Sequence, residues 1–257
     1  MNDPDLKNGV RKVWDSSAIN YDAIPGHQIG TPEEKNAWMR ELGRDLPPTP
    51  RRVLDIGCGT GAMALLFVEM GHQVTGIDLS PEMLAKARKN AEERNLSLEL
   101  HVGDAEHLSF EDNSFEVIVA RHLLWTLPHP EIALRDWHRV LVPGGKLVVI
   151  DGVWNDGSLA TRMKLRISMW LTRIFDPEKT HPASYSRNLR SQLPCEGGVP
   201  RDVLHAWLTR AGFSTIRVRD LEYVRDLQKL TISWYRKFAV GRNYYLISAI
   251  KPEPDLQ

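Results

Sequence analysis

The sequence predicts an α/β fold built on a doubly wound, mostly parallel sheet of seven strands. Short apolar segments alternate with segments of helical periodicity from Arg51 to Asp151, and the alternation resumes after residue 198. The segment FEVIVAR at 115–121 is apolar enough to be buried on both faces. A glycine-rich turn joins the first apolar segment to the helical segment behind it. Such alternation is typical of parallel sheets covered by helices on both sides.

The elements follow in chain order. The predicted strands are RRVLDIG (51–57), HQVTGIDL (72–79), LSLELHVGDA (96–105), FEVIVAR (115–121), KLVVIDG (146–152), residues 215–218 and NYYLISAIK (243–251). Helices are predicted over 61–69, from Pro81 onward, around 132–141, and over 158–175, 200–211 and 229–238. Ser80 followed by Pro81 is a helix start, because serine caps and proline suits the first helical position. Pro143-Gly144-Gly145 is expected to end the helix before the fifth strand.

Two further segments surround this core. The first 45 residues are interpreted as a helical lid, broken at Pro25-Gly26 and joined by the linker LPPTP at 46–50, where prolines exclude a helix. Residues 46–257 form the main domain. Within it, 152–198 is predicted to be a helical cap insertion after the fifth strand, since ligands bind at the carboxyl ends of such strands.

Composition narrows the class of protein. Lys plus Arg and Asp plus Glu number 33 each, so no net positive charge favours nucleic acid as a partner. The two cysteines, Cys58 and Cys195, have no metal-binding spacing, and no metal is expected. The chain has no apolar segment long enough to span a membrane and no signal-peptide pattern at its start. We therefore expect a cytoplasmic protein, either a monomer or a homodimer.

The glycine loop Asp55-Ile56-Gly57-Cys58-Gly59-Thr60-Gly61 carries the strongest chemical signal. Glycines between a strand and a helix let the backbone turn sharply and approach a ligand. The spacing also satisfies the dinucleotide fingerprint, so the loop alone leaves two cofactors open. Asp55 favours a cofactor with an ammonium group over one with a pyrophosphate. Asp78, at the end of the second strand, suits a ribose diol in either case.

Later motifs separate the two cofactors. Together with Gly103-Asp104-Ala105 and Leu141-x-Pro143-Gly144-Gly145-x-Leu147, the loop resembles the class I S-adenosylmethionine-dependent methyltransferases, in particular the small-molecule branch that includes the ubiquinone and menaquinone methylases. The resemblance covers about Arg51 to Asp151, with a weaker match at Ala18 to Asp22. It implies a Rossmann-like fold, S-adenosyl-L-methionine as cofactor and a small or medium organic methyl acceptor. A nicotinamide-dependent oxidoreductase is disfavoured by Asp55 and by the lack of a Tyr-x-x-x-Lys pair.

The resemblance also implies roles for individual residues. Asp55 and the three glycines Gly57, Gly59 and Gly61 would line the methionine half of the cofactor. Asp78 would hold the ribose hydroxyls, and Leu79 would lie against the adenine. Asp104 would accept a hydrogen bond from the adenine amino group, with Ala105 beside it. Arg121, at the end of the fourth strand, would face the methionyl end or the acceptor.

Four residues are candidates for the reactive end of the site. Tyr21 lies where this branch places an aromatic ring over the cofactor, and a sulfonium cation is attracted to a ring face. Trp14 can add to that lid or only pack on the core. His27 can reach the cofactor carboxylate or the acceptor, although a structural role suits it equally. His122 follows the fourth strand and is the first candidate for a general base or an acceptor-orienting group.

Three questions stay open at this stage. The basic segment 162–173, which includes Trp170, suits a solvated face or a roof over the acceptor better than a membrane-surface or nucleic-acid face. The enzyme can instead act on tRNA or protein, or the chain can be a cofactor-binding regulator without catalysis. The acceptor atom is not identified by any motif.

Overall fold

The computed structural model describes residues 3–24, 26–44, 46, 50–177, 185–195, 197–237 and 243–254. Within these residues seven strands form one sheet. They are β1 (Arg52–Ile56), β2 (Gln73–Asp78), β3 (Glu99–Val102), β4 (Phe115–Arg121), β5 (Leu141–Val153), β6 (Ser214–Asp220) and β7 (Asn243–Ile250).

The sheet has the order β3-β2-β1-β4-β5-β7-β6. The first five strands in that order are parallel, and β7 runs antiparallel to both β5 and β6. The strand order reverses between the neighbours β1 and β4. The strands that precede β4 in the chain lie on one side of this point, and those that follow it lie on the other. In such sheets the carboxyl ends of the two strands at this switch point flank the ligand site. The predicted doubly wound, mostly parallel fold is confirmed.

The helices are α1 (Asp3–Ser17), α2 (Pro32–Gly43), α3 (Ala62–Glu69), α4 (Pro81–Glu93), α5 (Pro130–Val140), α6 (Leu159–Phe175), α7 (Arg187–Arg190), α8 (Arg201–Arg210), α9 (Glu222–Thr231) and α10 (Trp234–Lys237). Single 3₁₀ turns lie at Tyr21–Ala23 and Leu124–Thr126. The start of α4 is as predicted: the Ser80 hydroxyl accepts a hydrogen bond from the Met83 N–H, and Pro81 occupies the first turn.

Two apolar layers cover the sheet. On one face α5 and α8 pack against strand residues, and Trp137 and Tyr245 are fully buried there. On the other face lie α2, α3 and the start of α9, with Trp38 and Tyr244 at the centre. The adjacent residues Tyr244 and Tyr245 therefore point to opposite faces and are both core residues.

A third, smaller cluster joins the chain start to the segment after β5. Leu6 and Val10 of α1 pack against Tyr185, Leu189 and Leu193, with the partly buried Trp14 and Trp125 at its edge. The two segments interpreted from sequence as lid and cap are thus in contact with each other.

Several element boundaries differ from prediction. Among the strands, β3 covers only Glu99–Val102 of the predicted 96–105, and β5 begins at Leu141 and not at residue 146. A single helix over 229–238 was expected, but α9 already begins at Glu222, because Leu221, Val224 and Gln228 are buried at helical spacing. It ends at Thr231, where the buried Ile232 is extended. Pro143-Gly144-Gly145 lies inside β5 and does not end a helix; α5 ends earlier, at Val140.

Some predicted features lie outside the described residues: Pro25 of the Pro-Gly break, residues 47–49 of the linker, residues 178–184 of the cap and Phe238. Over the part of the chain that is described, the helices are all too short or too polar to cross a bilayer.

Candidate functional site

The glycine loop leaves β1 in a conformation that side chains rarely tolerate. Gly57 has a φ of +66°, and a Cβ there would lie 2.7 Å from Leu123 Cδ1. Gly61 has a φ of +86° and caps the start of α3. Both positions favour glycine, because a left-handed backbone is strained for a residue with a side chain, and at Gly57 a Cβ would also displace the Leu123 side chain. The loop therefore exposes backbone atoms without side chains at the carboxyl end of β1.

Asp78 ties this loop to the end of β2. Its Oδ2 accepts a hydrogen bond from the Gly59 N–H and its Oδ1 accepts one from the Ser80 N–H, both at 2.9 Å. Burial raises the pKa of Asp78 to about 6, although the two backbone donors act in the opposite direction. Each carboxylate oxygen keeps a second acceptor site, which a vicinal diol can use.

Asp104 lies at the next strand end and is already paired. Its Oδ2 accepts from Lys7 Nζ at 2.8 Å and its Oδ1 from the Glu106 N–H at 2.9 Å. Lys7 also lies 2.6 Å from Glu106 Oε2. Burial alone would lower the pKa of Lys7, but its hydrogen bonds to the two carboxylates raise it above the ordinary value. These contacts of Lys7 hold α1 over the part of the site that the sequence predicts to bind the adenine of the cofactor.

Asp55 is buried at the end of β1 beneath the loop. Burial raises its pKa to about 7, while the Ala64 N–H and the charge of Arg121 act to lower it. The Oδ2 atom has no hydrogen-bond partner within the described structure. A buried carboxylate of this kind is stabilised by a cation placed nearby.

These elements surround a pocket at the carboxyl ends of β1, β2 and β4, with about 740 Å³ of free space when the part open to solvent is included. The structure brings nine of the sequence-predicted site residues to its wall: Tyr21, Gly57, Gly59, Asp78, Leu79, Asp104, Ala105, Arg121 and His122. The other three, Asp55, Gly61 and His27, do not belong to the lining residues of this cavity within the described structure.

Aromatic rings from the chain start close the cavity. Tyr21 Cε1 lies 3.8 Å from the position that a Cβ on Gly59 would take, so the ring covers the glycine loop. Trp14 meets Tyr21 edge to face at 5.9 Å, and the His27 ring packs on Tyr21 at 4.2 Å. Burial raises the pKa of Tyr21 to about 12, so its hydroxyl stays protonated. His27 thus packs against a residue of the cavity wall without itself belonging to the described lining residues.

Arg121 binds the segment that follows Tyr21. Its Nη2 donates to the backbone carbonyls of Gly26 and His27, both at 2.6 Å, and its guanidinium lies 5.8 Å from the Trp38 ring. The residue also lines the cavity. Its charge still acts on Asp55 and His122.

His122 occupies a strained position directly after β4. Its φ of +56° is uncommon for a residue with a side chain, and such strain clusters at functional sites. The imidazole stacks on Tyr244 at 5.3 Å, and Nδ1 lies 4.0 Å from Asp151 Oδ1. Burial, together with the charges of Arg121, Arg225 and His27, lowers the pKa of His122 well below its ordinary value. The ring is therefore neutral at neutral pH.

Asp151, at the carboxyl-terminal part of β5, approaches the cavity residue His122 and was not among the residues predicted from sequence. Its carboxylate is fully buried, and burial raises its pKa to about 7. Hydrogen bonds from the Gly152 and Val199 N–H groups act to lower that pKa. Its Oδ2 has no hydrogen-bond partner within the described residues. Its place at a strand end, like that of Asp78, was the signal available in the sequence.

An aromatic cluster behind His122 was also missed. Trp154 lies 6.0 Å from His122 and 5.1 Å from Trp125, and Tyr185 lies 5.6 Å from Trp125 and 6.4 Å from Trp14. The rings come from four separate segments of the chain, so no local pattern indicates that they meet.

Comparison with known proteins agrees with this geometry. Residues 54–149 match the family model of a methyltransferase domain. The chain is 40% identical to demethylmenaquinone methyltransferase of Thermus thermophilus over an alignment of 117 residues. That alignment covers 44% of this chain and 53% of that protein. It is also 35% identical to aklanonic acid methyltransferase DauC of Streptomyces sp. over an alignment of 167 residues. That alignment covers 62% of this chain and 71% of that protein.

The chain belongs to the class I S-adenosylmethionine-dependent methyltransferases. Its relatives place it in the branch that includes the quinone methylases. The predicted family is confirmed, and with it the cofactor on which the family depends. The chain spans about half the length of the Thermus relative, so the acceptor does not follow from that match.

Solved structures confirm the fold of this methyltransferase. Phosphoethanolamine N-methyltransferase 2 of Haemonchus contortus, in complex with S-adenosyl-L-methionine, has a TM-score of 0.65 at 21% identity, covering 95% of this chain and 60% of that one. The [4+2]-cyclase SpnF has a TM-score of 0.65 at 23% identity, covering 95% of this chain and 96% of that one. At these identities the likeness concerns the fold alone.

Proposed function

We propose that this methyltransferase transfers a methyl group to a small or medium-sized organic acceptor held between the glycine loop and His122. The observation that carries the proposal is the cavity wall itself. It combines a diol-binding carboxylate, Asp78, with an aromatic cover, Trp14 and Tyr21, and a neutral histidine on one side.

The residues present fit S-adenosylmethionine. Asp78 offers acceptors to the ribose diol, Leu79 and Ala105 offer apolar contact to the adenine, and Asp55 offers negative charge to the ammonium group. The Tyr21 ring suits a sulfonium cation. When bound, the cofactor supplies a methyl group that its sulfonium already activates. The protein contributes alignment and water exclusion, which together are worth about 7–11 kcal/mol in well-oriented reactions.

His122 is proposed to take the acceptor's proton where the acceptor must lose one. A neutral imidazole at the cavity wall can accept a proton from a hydroxyl or amine, and the lowered pKa keeps it neutral. Asp151, 4.0 Å from Nδ1, then stabilises the imidazolium by its charge. Stacking on Tyr244 holds the ring in place for this task.

Residues 1–45 and 152–198 are proposed to cover the acceptor together. The contacts between α1 and the segment around Tyr185–Leu193 support this, as does the Arg121 anchor on Gly26 and His27. Water exclusion is what such a cover adds to methyl transfer.

The relatives named above are named for small-molecule substrates, which supports an organic acceptor over tRNA or protein. A regulator that binds the cofactor without catalysis is the remaining alternative. Incubating the protein with methyl-labelled S-adenosylmethionine and a cell extract separates the three. We expect label in the small-molecule fraction, and much less with His122→Asn. Label in macromolecules, or no transfer at all, would contradict the proposal.

A further inference from the structure

Helix α6 presents an apolar stripe to solvent. Five of its residues, spaced three or four apart, lie on one helical face and are each between 47% and 77% exposed: Leu159, Met163, Ile167, Trp170 and Ile174. Such spacing normally marks the face that a helix buries. The stripe runs the length of the helix, from its first residue to its last turn.

The opposite face of α6 packs on the protein. It includes Ser168, which is 7% exposed, and Thr172, which is 5% exposed and whose hydroxyl donates to the Ser168 carbonyl at 2.8 Å. The half-buried Leu165 and Leu171 flank these two polar residues. The helix therefore leaves its most apolar stripe in solvent, which is unusual for a helix on a protein surface in water.

The charge on α6 is entirely positive. The helix carries Arg162, Lys164, Arg166 and Arg173, and no Asp or Glu occurs between Leu159 and Phe175. The whole chain is balanced at 33 cationic and 33 anionic residues, so the positive charge of this helix is a local feature. At helical spacing, Arg162, Arg166 and Arg173 form a row beside the apolar stripe.

Further apolar residues are exposed near the end of α6. Phe175, its last residue, and Trp234 are both exposed, and their rings lie 5.5 Å and 5.6 Å from the ring of Tyr235. Leu230, near the end of α9, is also exposed. Exposed apolar residues flanked by cations mark an interaction site.

We propose that this surface, α6 with Phe175, Leu230 and Trp234, docks the enzyme onto an anionic lipid bilayer. The apolar stripe would enter the boundary between headgroups and acyl chains, with α6 in the plane of the membrane. The row of arginines would then lie at the level of the lipid phosphates. An exposed apolar face, a cationic flank and a tryptophan are the features of an interfacial helix.

Charge complementarity selects a lipid surface over other occupants. A second copy packed helix to helix would bring four cations against four cations, because α6 has no carboxylate to pair with them. A nucleic acid would neutralise the cations but leave the apolar stripe in water. Anionic lipid supplies both an apolar phase and a counter-charge.

Co-sedimentation with vesicles tests the proposal. We expect the protein to pellet with vesicles of equal parts phosphatidylglycerol and phosphatidylcholine, and to remain in the supernatant with phosphatidylcholine alone. Ile167→Ser combined with Trp170→Ser should weaken partitioning at least about tenfold, since each buried apolar side chain contributes more than one such factor. Arg166→Gln combined with Arg173→Gln should weaken it and reduce its dependence on salt.

Val218→Ser is the matched control, because Val218 is an exposed apolar residue on β6, outside the proposed surface. It should bind vesicles as the unchanged protein does. Binding of S-adenosylhomocysteine by every variant shows that each has folded. Failure to pellet with anionic vesicles, or pelleting that survives both α6 variants, would overturn the proposal. So would concentration-dependent dimerisation that the α6 variants abolish while vesicle binding persists.

Discussion

The carboxylate of Asp55 lies beneath the glycine loop with a pKa of about 7. If it meets the cofactor's ammonium group, only its ionised form attracts that group. The affinity for S-adenosylhomocysteine should therefore rise as pH rises through about 7, with a smaller step near 6 from Asp78. Calorimetry across this range measures it. In Asp55→Asn the step near 7 should vanish, and a wild-type affinity that does not change with pH would contradict the assignment.

His122 and Asp151 are proposed to act on the methyl acceptor and not to bind the cofactor. His122→Asn should lower turnover about 10²- to 10⁴-fold, the usual contribution of general acid–base catalysis, with affinity for S-adenosylhomocysteine retained. Asp151→Asn should lower turnover less, because it acts through His122. Steady-state rates with an identified acceptor check both. Unchanged turnover in His122→Asn would mean that the acceptor needs no base.

Single residues at the ends of the first strands were predictable from sequence, and residues contributed by distant strands were not. Asp78 and Asp104 follow apolar strands directly, and such positions meet at one edge of a parallel sheet. Tyr244 reaches His122 because β7 inserts antiparallel beside β5, with Gly152 paired to Tyr244. That register is a tertiary property, and no local pattern encodes it.

At the scale of elements, α1 is held over the cavity by Lys7 and by its apolar contacts with Tyr185 and Leu189. Bound cofactor adds contacts beneath it, and a helix that gains contacts opens less often. S-adenosylhomocysteine should therefore slow trypsin cleavage within α1, while cleavage within α8, which contributes no residue to the cavity wall, keeps its rate. Equal rates in α1 with and without ligand would contradict the lid.

The periodicity of apolar residues predicted whether a segment is a helix or a strand, but it did not always predict which face of that element is buried. The pattern of 158–175 predicted an amphipathic helix, and α6 is one. The sequence favoured a solvated charged face or a roof over the acceptor, whereas the structure turns the apolar face outward. A helical pattern shows that two faces exist. Packing of the neighbouring elements decides which one is buried.

At the scale of the whole molecule, three buried carboxylates give stability a defined pH dependence. The pKa is raised to about 7 in Asp55 and Asp151 and to about 6 in Asp78, each from 3.8. Through these three groups the folded state binds more protons than the unfolded state between about 4 and 7, so they make the free energy of unfolding fall as pH rises through that window. The lowered pKa of His122 acts in the opposite direction and offsets part of this slope. Urea unfolding at several pH values measures this slope.

Asp151→Asn removes one of the three groups and should flatten the slope toward neutral pH. Glu92→Gln changes an exposed carboxylate and serves as the control. A slope identical in Asp151→Asn and the unchanged protein would show that Asp151 does not titrate as described.

Calorimetric titration of the unchanged protein and Asp78→Asn with S-adenosylhomocysteine tests the central claim most directly. Asp78 joins the loop to β2 through Gly59 and Ser80, and its charge is the part of the site that an asparagine cannot replace. Loss of hydrogen bonds to a charged group weakens binding about 10- to 100-fold. We expect one bound ligand per chain of the unchanged protein, and binding that is weaker by this factor in Asp78→Asn. No binding, or equal binding by both proteins, would contradict that claim.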